Sequence, residues 1–152
     1  MEMSENKGAY GSLAVQTVIS AIIMYLVMFV MIDGLDSFFN NLNMLYMTLM
    51  MVAPMVVLMI VAMKHMFPSR TANVAIITAA VVAFFGSFGL IRTQTTIGDH
   101  AFLRSMIPRH SGAILMCREA DLRDPEIQGL CGQIIESQQR EIDQMKQILA
   151  RL

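Results

Sequence analysis

The run SFFNNLNMLYMTLMMVAPMVVLMIVAM, residues 37–63, decides how this chain is built. It holds no charged residue. It is longer than the ~20 residues that carry a helix across ~30 Å of hydrocarbon. Backbone polar groups in lipid must pair within their own segment, so the run has to be helical. Uncharged runs lie on either side of it, Gly8–Ile32 before and Thr71–Ile91 after. The sequence therefore predicts three membrane-spanning helices, at about 13–32, 45–64 and 72–91. The first is read as a retained helix rather than a signal peptide, because its apolar run is too long and no small-x-small cleavage site follows.

Beyond these runs the chain changes material. It is 55% hydrophobic and 15% charged, with a mean hydropathy of +0.55, whereas a soluble domain carries about a quarter charged residues. Most of the charge lies after Arg92, which divides the chain into a membrane domain over 1–92 and a polar domain over 93–152. A formal net charge of −1 with no basic, aromatic-interleaved patch gives nucleic acid nothing to bind. No phosphate loop, nucleophile elbow or zinc-finger spacing is present, and the chain is not read as an enzyme.

Lysine and arginine in short flanks set orientation. Lys7 precedes the first span, and Lys64 and Arg70 lie between the second and third. The loop between the first two spans carries Asp33 and Asp36 and no positive charge. The N-terminus is thus expected in the cytoplasm of a plasma membrane, and the last third outside it. Both cysteines, Cys117 and Cys131, lie in that third, where a disulfide and a thiolate metal pair are both open. Asp33 and Asp36 are expected to be solvated loop residues.

The last third reads as two helices. The first runs from about Asp99, as a possible N-cap, to Asp121, with Pro108 expected to kink or break it. The second opens at Asp124-Pro125-Glu126, a cap, first-turn proline and acidic residue that suit a helix start. It continues with Ile127, Leu130, Ile134, Ile142, Met145 and Leu149 on one face. At ~100° per residue, Asp99, Leu103, Met106, Ile114 and Cys117 fall within about 40° of His110. By the same spacing Cys131, Ile134, Ile142 and Met145 fall within about 40° of Gln138, with Glu141 about 60° away. A hairpin folded about Arg123 brings His110 within reach of Gln138, Met106 near Glu141 and Met145 near Asp99. Imidazole, thioether, amide and carboxylate would then meet inside a helical bundle, a donor set that suits copper better than magnesium or calcium. A core histidine bonded to Gln138, with Glu141 paired to Arg104 or Arg140, is the structural alternative.

Methionine is the abnormal residue, 16 of 152. Met44, Met47, Met51, Met55, Met59, Met63 and Met66 step by 3, 4, 4, 4, 4 and 3, close to the helical ~3.6. The second span should therefore carry one thioether stripe, with Met24, Met28 and Met31 at helical spacing on the first span and His65 at the inner end of the stripe. Such a stripe can pass Cu(I) without placing charge in lipid. Equally it can be a packing seam of flexible side chains.

The segments DHAFLRSMIPRHSGAILM (99–116), DPEI (124–127) and QQREIDQM (138–145) resemble the bacterial family filed as domain of unknown function 305, over residues 99–152. The three-span leader looks like that family's membrane-anchored branch. The resemblance implies a ferritin-like helical fold, a periplasmic setting and, for some members, copper binding and resistance. Met106, His110, Met116, Gln138, Glu141 and Met145 match the family pattern, while Arg109 stands where a first histidine belongs. The three spans and Met-x-x-x-Met spacing are also similar to eukaryotic copper transporters, by analogy alone. The expectation is an all-α chain, three transmembrane helices followed by a ferritin-like helical hairpin. It sits in a bacterial inner membrane as a homo-oligomer and handles copper, with metal ion and lipid bilayer as partners. The rival is a structural or assembly membrane protein.

Overall fold

The computed structural model describes residues 2–152, with side chains from Gly8 onward. Among these residues there are five α-helices, a short 3-10 turn and no strand. The helices are α1 (Glu2–Val27), α2 (Leu42–Ala62), α3 (Arg70–Thr93), α4 (Asp99–Glu119) and α5 (Pro125–Arg151), with the 3-10 turn at Leu35–Ser37. The chain divides into two compact units. One holds the chain up to Val27 and Asn43–Thr95; the other holds Met28–Leu42 and Thr96–Leu152. The connector 28–42 thus groups with the C-terminal hairpin, although the sequence reading placed it with the membrane domain.

In the first unit, Gly8–Val27, Leu42–Ala62 and Arg70–Thr93 are long and apolar enough to cross a membrane. The first span lies about five residues earlier than expected, because α1 ends at Val27 and residues 28–31 form a turn. The other two sit within three residues of the expected bounds. Pro54 lies inside α2 without ending it. Its missing N–H leaves the Met50 carbonyl without its usual helical donor, a defect that membrane helices tolerate.

The core of this unit is Leu13, Val52, Val56, Ile60 and Phe67. Val52, Val56 and Ile60 stand four apart and, with Thr48, form the buried line of α2. Polar pairs pin the helix ends. Tyr10 donates its hydroxyl hydrogen to Asn73 Oδ1 at 2.8 Å, and Asn73 Nδ2 donates to the Phe67 carbonyl at 2.7 Å. Asn43 and Gln94 exchange amide hydrogen bonds of 3.2 and 3.0 Å. Gln94 caps α3 at φ 54°, a left-handed conformation costing a non-glycine residue ~1–2 kcal/mol. The reciprocal amide pair helps hold it there.

In the second unit α4 and α5 form an antiparallel hairpin. Asp124 caps α5, its Oδ1 accepting from the backbone N–H of Glu126 at 2.8 Å and of Ile127 at 3.2 Å. Pro125 fills the first turn as expected. Gly98, not Asp99, occupies the cap of α4, and α4 runs unbroken through Pro108 to Glu119. Pro108 is buried, so packing holds the helix across the lost hydrogen bond. Ile107, Ile114 and Ile142 form the core, with Phe39, Ile135, Met145 and Leu149 packed on it.

The connector 28–42 is a third layer of this unit. The Asp33 backbone N–H donates to Ser111 Oγ at 2.7 Å. Arg118 donates to the Asp33 carboxylate at 2.5 Å, and Lys146 to that of Asp36. Gly112 lies so near the connector that a Cβ there would stand 3.1 Å from the Met31 carbonyl oxygen. Asp33 and Asp36 are therefore paired, not merely solvated as the sequence suggested.

Candidate metal-binding site

His110 sits mid-way along α4, between the core residues Ile107 and Ile114, so its ring is carried inward at helical spacing. Its Nδ1 lies 2.9 Å from the Met106 carbonyl oxygen, which only accepts. Nδ1 therefore carries the hydrogen, and Nε2 is turned outward. Nε2 meets Glu141 Oε2 at 2.8 Å. The His110 side chain is 12% exposed and that of Glu141 52%. The contact is thus dry on the α4 side and open on the α5 side. Beside it runs an open groove of about 340 Å³ lined by Ser137, Arg140, Glu141 and Gln144.

The structure brings together fewer residues than the sequence proposed. His110 faces Glu141 rather than Gln138, a register shift of about one helical turn from a fold centred on Arg123. Met106 stands one turn before His110 on the same face, and its carbonyl fixes the ring. Met145 stands one turn after Glu141 and packs on the hairpin core. Gln138 is half-buried one turn before Ile142. Asp99 is exposed in the first turn of α4, about 16 Å along the axis from His110. Met116 is 55% exposed, about 120° around α4 from His110. Neither reaches the pair. Arg140 pairs with Glu136 at 3.8 Å, and Arg104 Nε is buried with no partner, so neither arginine takes Glu141. Arg109 is exposed. Among the described residues no group of three or more His, Cys, Asp or Glu converges on one point.

Cys117 and Cys131 form a disulfide with a Cα–Cα separation of 5.3 Å. It joins the last turn of α4 to the second turn of α5 and leaves no free thiol among the described residues. The rival thiolate pair does not exist in this state.

The thioether stripe is real but narrower than expected. Met44 to Met59 lie on α2, while Met63 and Met66 fall in the turns after it. The stripe flanks the buried line by about 100° rather than forming it. Met55, Met59 and Met63 pack on the core of the first unit together with Met24. Met47, Met51 and Met66 are 40%, 49% and 44% exposed. His65 is exposed. Met28 and Met31, expected on the first span, lie beyond α1 in the second unit.

Three helices fit to cross a membrane, joined to a disulfide-closed hairpin, define a class of all-helical protein suited to a bilayer. Residues 89–149 match the family described as Domain of unknown function (DUF305). An uncharacterized protein of Acanthamoeba polyphaga mimivirus is 41% identical over 112 residues, covering 72% of this chain and 71% of that protein. No solved structure matches. The chain belongs to the DUF305 family.

Proposed function

We propose that this is a membrane-anchored copper-binding protein for copper homeostasis or resistance, with its hairpin capturing copper on an oxidising face of the membrane. The observation that carries the reading is the His110–Glu141 contact. A ligating imidazole characteristically donates its other N–H to a backbone carbonyl or carboxylate, which fixes the tautomer and aims the ligand nitrogen. His110 Nδ1 does this through Met106, and Nε2 is set against a carboxylate that is open to solvent on its far side. A cation entering from the groove would take both atoms as donors. Thioethers one turn away, at Met106 and Met145, complete a set of one nitrogen, one oxygen and soft sulfur, which suits copper. The α2 stripe offers Cu(I) a series of further thioethers. The reading is of a carrier rather than an enzyme.

The setting goes with it. The disulfide is at home in an oxidising compartment, which supports a cytoplasmic N-terminus and an extracytoplasmic hairpin. A ferritin-like bundle and homo-oligomer follow if two hairpins pair. The plasma membrane of a bacterium is the setting implied by the resemblance, while the mimivirus relative is viral.

The test is copper affinity of the full-length protein in detergent, measured against a competing chelator, with His110→Ala and Glu141→Ala beside it. Both variants should bind at least ~10-fold more weakly. Unchanged affinity in both removes the site.

A second reading rests on a different observation. Both nitrogens of His110 are already engaged by protein groups, while Ile127 and Leu130 are 47% and 54% exposed. In that reading the histidine is a structural cross-link and the apolar flank of α5 mediates assembly. It predicts no retained copper and loss of oligomer on Leu130→Glu.

A further inference from the structure

The first span carries an amide that its own unit does not use. Gln16 is exposed on α1, and among the described residues it has no hydrogen-bond partner. By the ~1.5 Å rise of a helix it lies about 12 Å from Gly8 and about 16 Å from Val27, the ends of the apolar span. Its side chain therefore reaches neither membrane surface. An amide left unpaired in hydrocarbon is unfavourable, because no water replaces the missing bonds. The other polar side chains of the unit are already engaged. Thr17 donates to the Leu13 carbonyl and Thr48 to the Met44 carbonyl. Tyr10 donates to Asn73, and Asn43 and Gln94 hold each other. Leu13, Met24 and Ala21, which α1 packs on the core, stand about 60–140° around the helix from Gln16. Gln16 thus faces away from its own bundle.

We propose that α1 is a dimerisation helix, and that the Gln16 side chains of two copies of this chain exchange amide hydrogen bonds near the middle of the membrane. The chemistry of the amide selects the occupant. Its NH2 group donates and its carbonyl accepts, so it complements a second copy of itself. Across a two-fold axis the same residue meets itself, and one reciprocal pair satisfies both chains. Asn43 and Gln94 already form such a pair inside this chain, at 3.2 and 3.0 Å. The surroundings admit a second helix. Ser12 and Gly8, one and two turns before Gln16, are small and exposed, and a Cβ at Gly8 would meet nothing within 4 Å. Small residues at that spacing let two backbones approach closely enough for side chains to bond across the interface. The inference rests on α1 crossing a membrane and is independent of copper. It sets assembly within lipid, apart from the exposed apolar flank of α5.

The experiment uses the full-length protein in phosphatidylcholine vesicles, with donor- and acceptor-labelled copies mixed over a range of protein-to-lipid ratios. Energy transfer between copies reports the dimer. Gln16→Leu keeps the span apolar, so it inserts as the wild type does. It should need about 10-fold more protein per lipid to reach half dimer, as the loss of interhelical hydrogen bonds implies. Gln16→Asn keeps the amide and should restore most of the association. A second measurement locates the face. The two native cysteines are bonded to each other, so an introduced cysteine is the free one. With a membrane-permeant oxidant, Ser12→Cys should cross-link two chains. Val18→Cys, as exposed but about 160° around α1 from Gln16, should not. A wild type that stays monomeric at every ratio would overturn the proposal. Equal dimerisation of wild type and Gln16→Leu would also overturn it, as would cross-linking through Val18→Cys in place of Ser12→Cys. Alkaline extraction of the same vesicles tests the premise separately. Wild type released by alkali would mean that α1 does not cross the bilayer, and the proposal would fail with that reading. Wild type retained but monomeric would sink the pairing alone.

Discussion

Gly112 shows how closely the hairpin is packed against its connector. A methyl group there would stand 3.1 Å from the Met31 carbonyl oxygen, a rigid backbone atom. Gly112→Ala should therefore cost about 1–3 kcal/mol through overpacking, despite its better helix propensity. Chemical denaturation of the wild type and variant checks this, and a more stable variant would contradict the close approach. Asp36 gives a pH signature. The hydrogen bond from Lys146 holds its carboxyl below the usual value of 3.8, with slight desolvation opposing it and Lys146's charge adding to the effect. A carboxyl with a depressed folded pKa contributes stability above its unfolded pKa and loses it as pH falls through the folded one. Protection of the connector 28–42 in hydrogen exchange should thus fall only below about pH 4, and Asp36→Asn should flatten that dependence. These partners were hidden in the sequence. Asp36 and Lys146 are 110 residues apart and Asp33 and Arg118 are 85 apart, and no local pattern marks either pair.

At the scale of elements, legibility followed locality. The three spans show in sequence because absence of charge is a property of each segment alone. The start of α5 shows because cap, proline and acidic residue are adjacent. Asp124→Ala removes two hydrogen bonds to the first turn and should cost ~1 kcal/mol. A thermal melt of the variant that overlays the wild type would contradict the cap's role. The end of α1 does not show in the sequence, because residues 28–31 are apolar yet belong to the connector, and apolarity alone does not separate lipid from a domain surface. The histidine's partner is not fixed by sequence for a related reason. Which α5 residue meets His110 depends on hairpin register, set by the tight fit of Ile107, Ile114 and Ile142 and by the disulfide, and a one-turn shift exchanges Gln138 for Glu141. Pro108 did not break α4 because the helix is packed around it on buried faces.

For the whole molecule, the disulfide closes a loop with a sequence separation of 14, for which chain entropy suggests about 3 kcal/mol. Reduction should thus lower the hairpin's stability without releasing the protein from membranes, because it leaves untouched the three helices long and apolar enough to cross a bilayer. Alkaline extraction of vesicles before and after reduction checks this, and release on reduction would contradict membrane anchoring by the spans. One chain combines three helices long and apolar enough to cross a membrane with a hairpin cross-linked by the Cys117–Cys131 disulfide and by the His110–Glu141 contact. The proposed function requires copper to bind between α4 and α5 through His110. The most direct test is copper K-edge X-ray absorption on the copper-loaded full-length protein and on His110→Ala. The account predicts imidazole scattering together with sulfur in the wild type, and loss of the imidazole signal in the variant. An identical spectrum from both, or no copper retained by the wild type after dialysis, would contradict it.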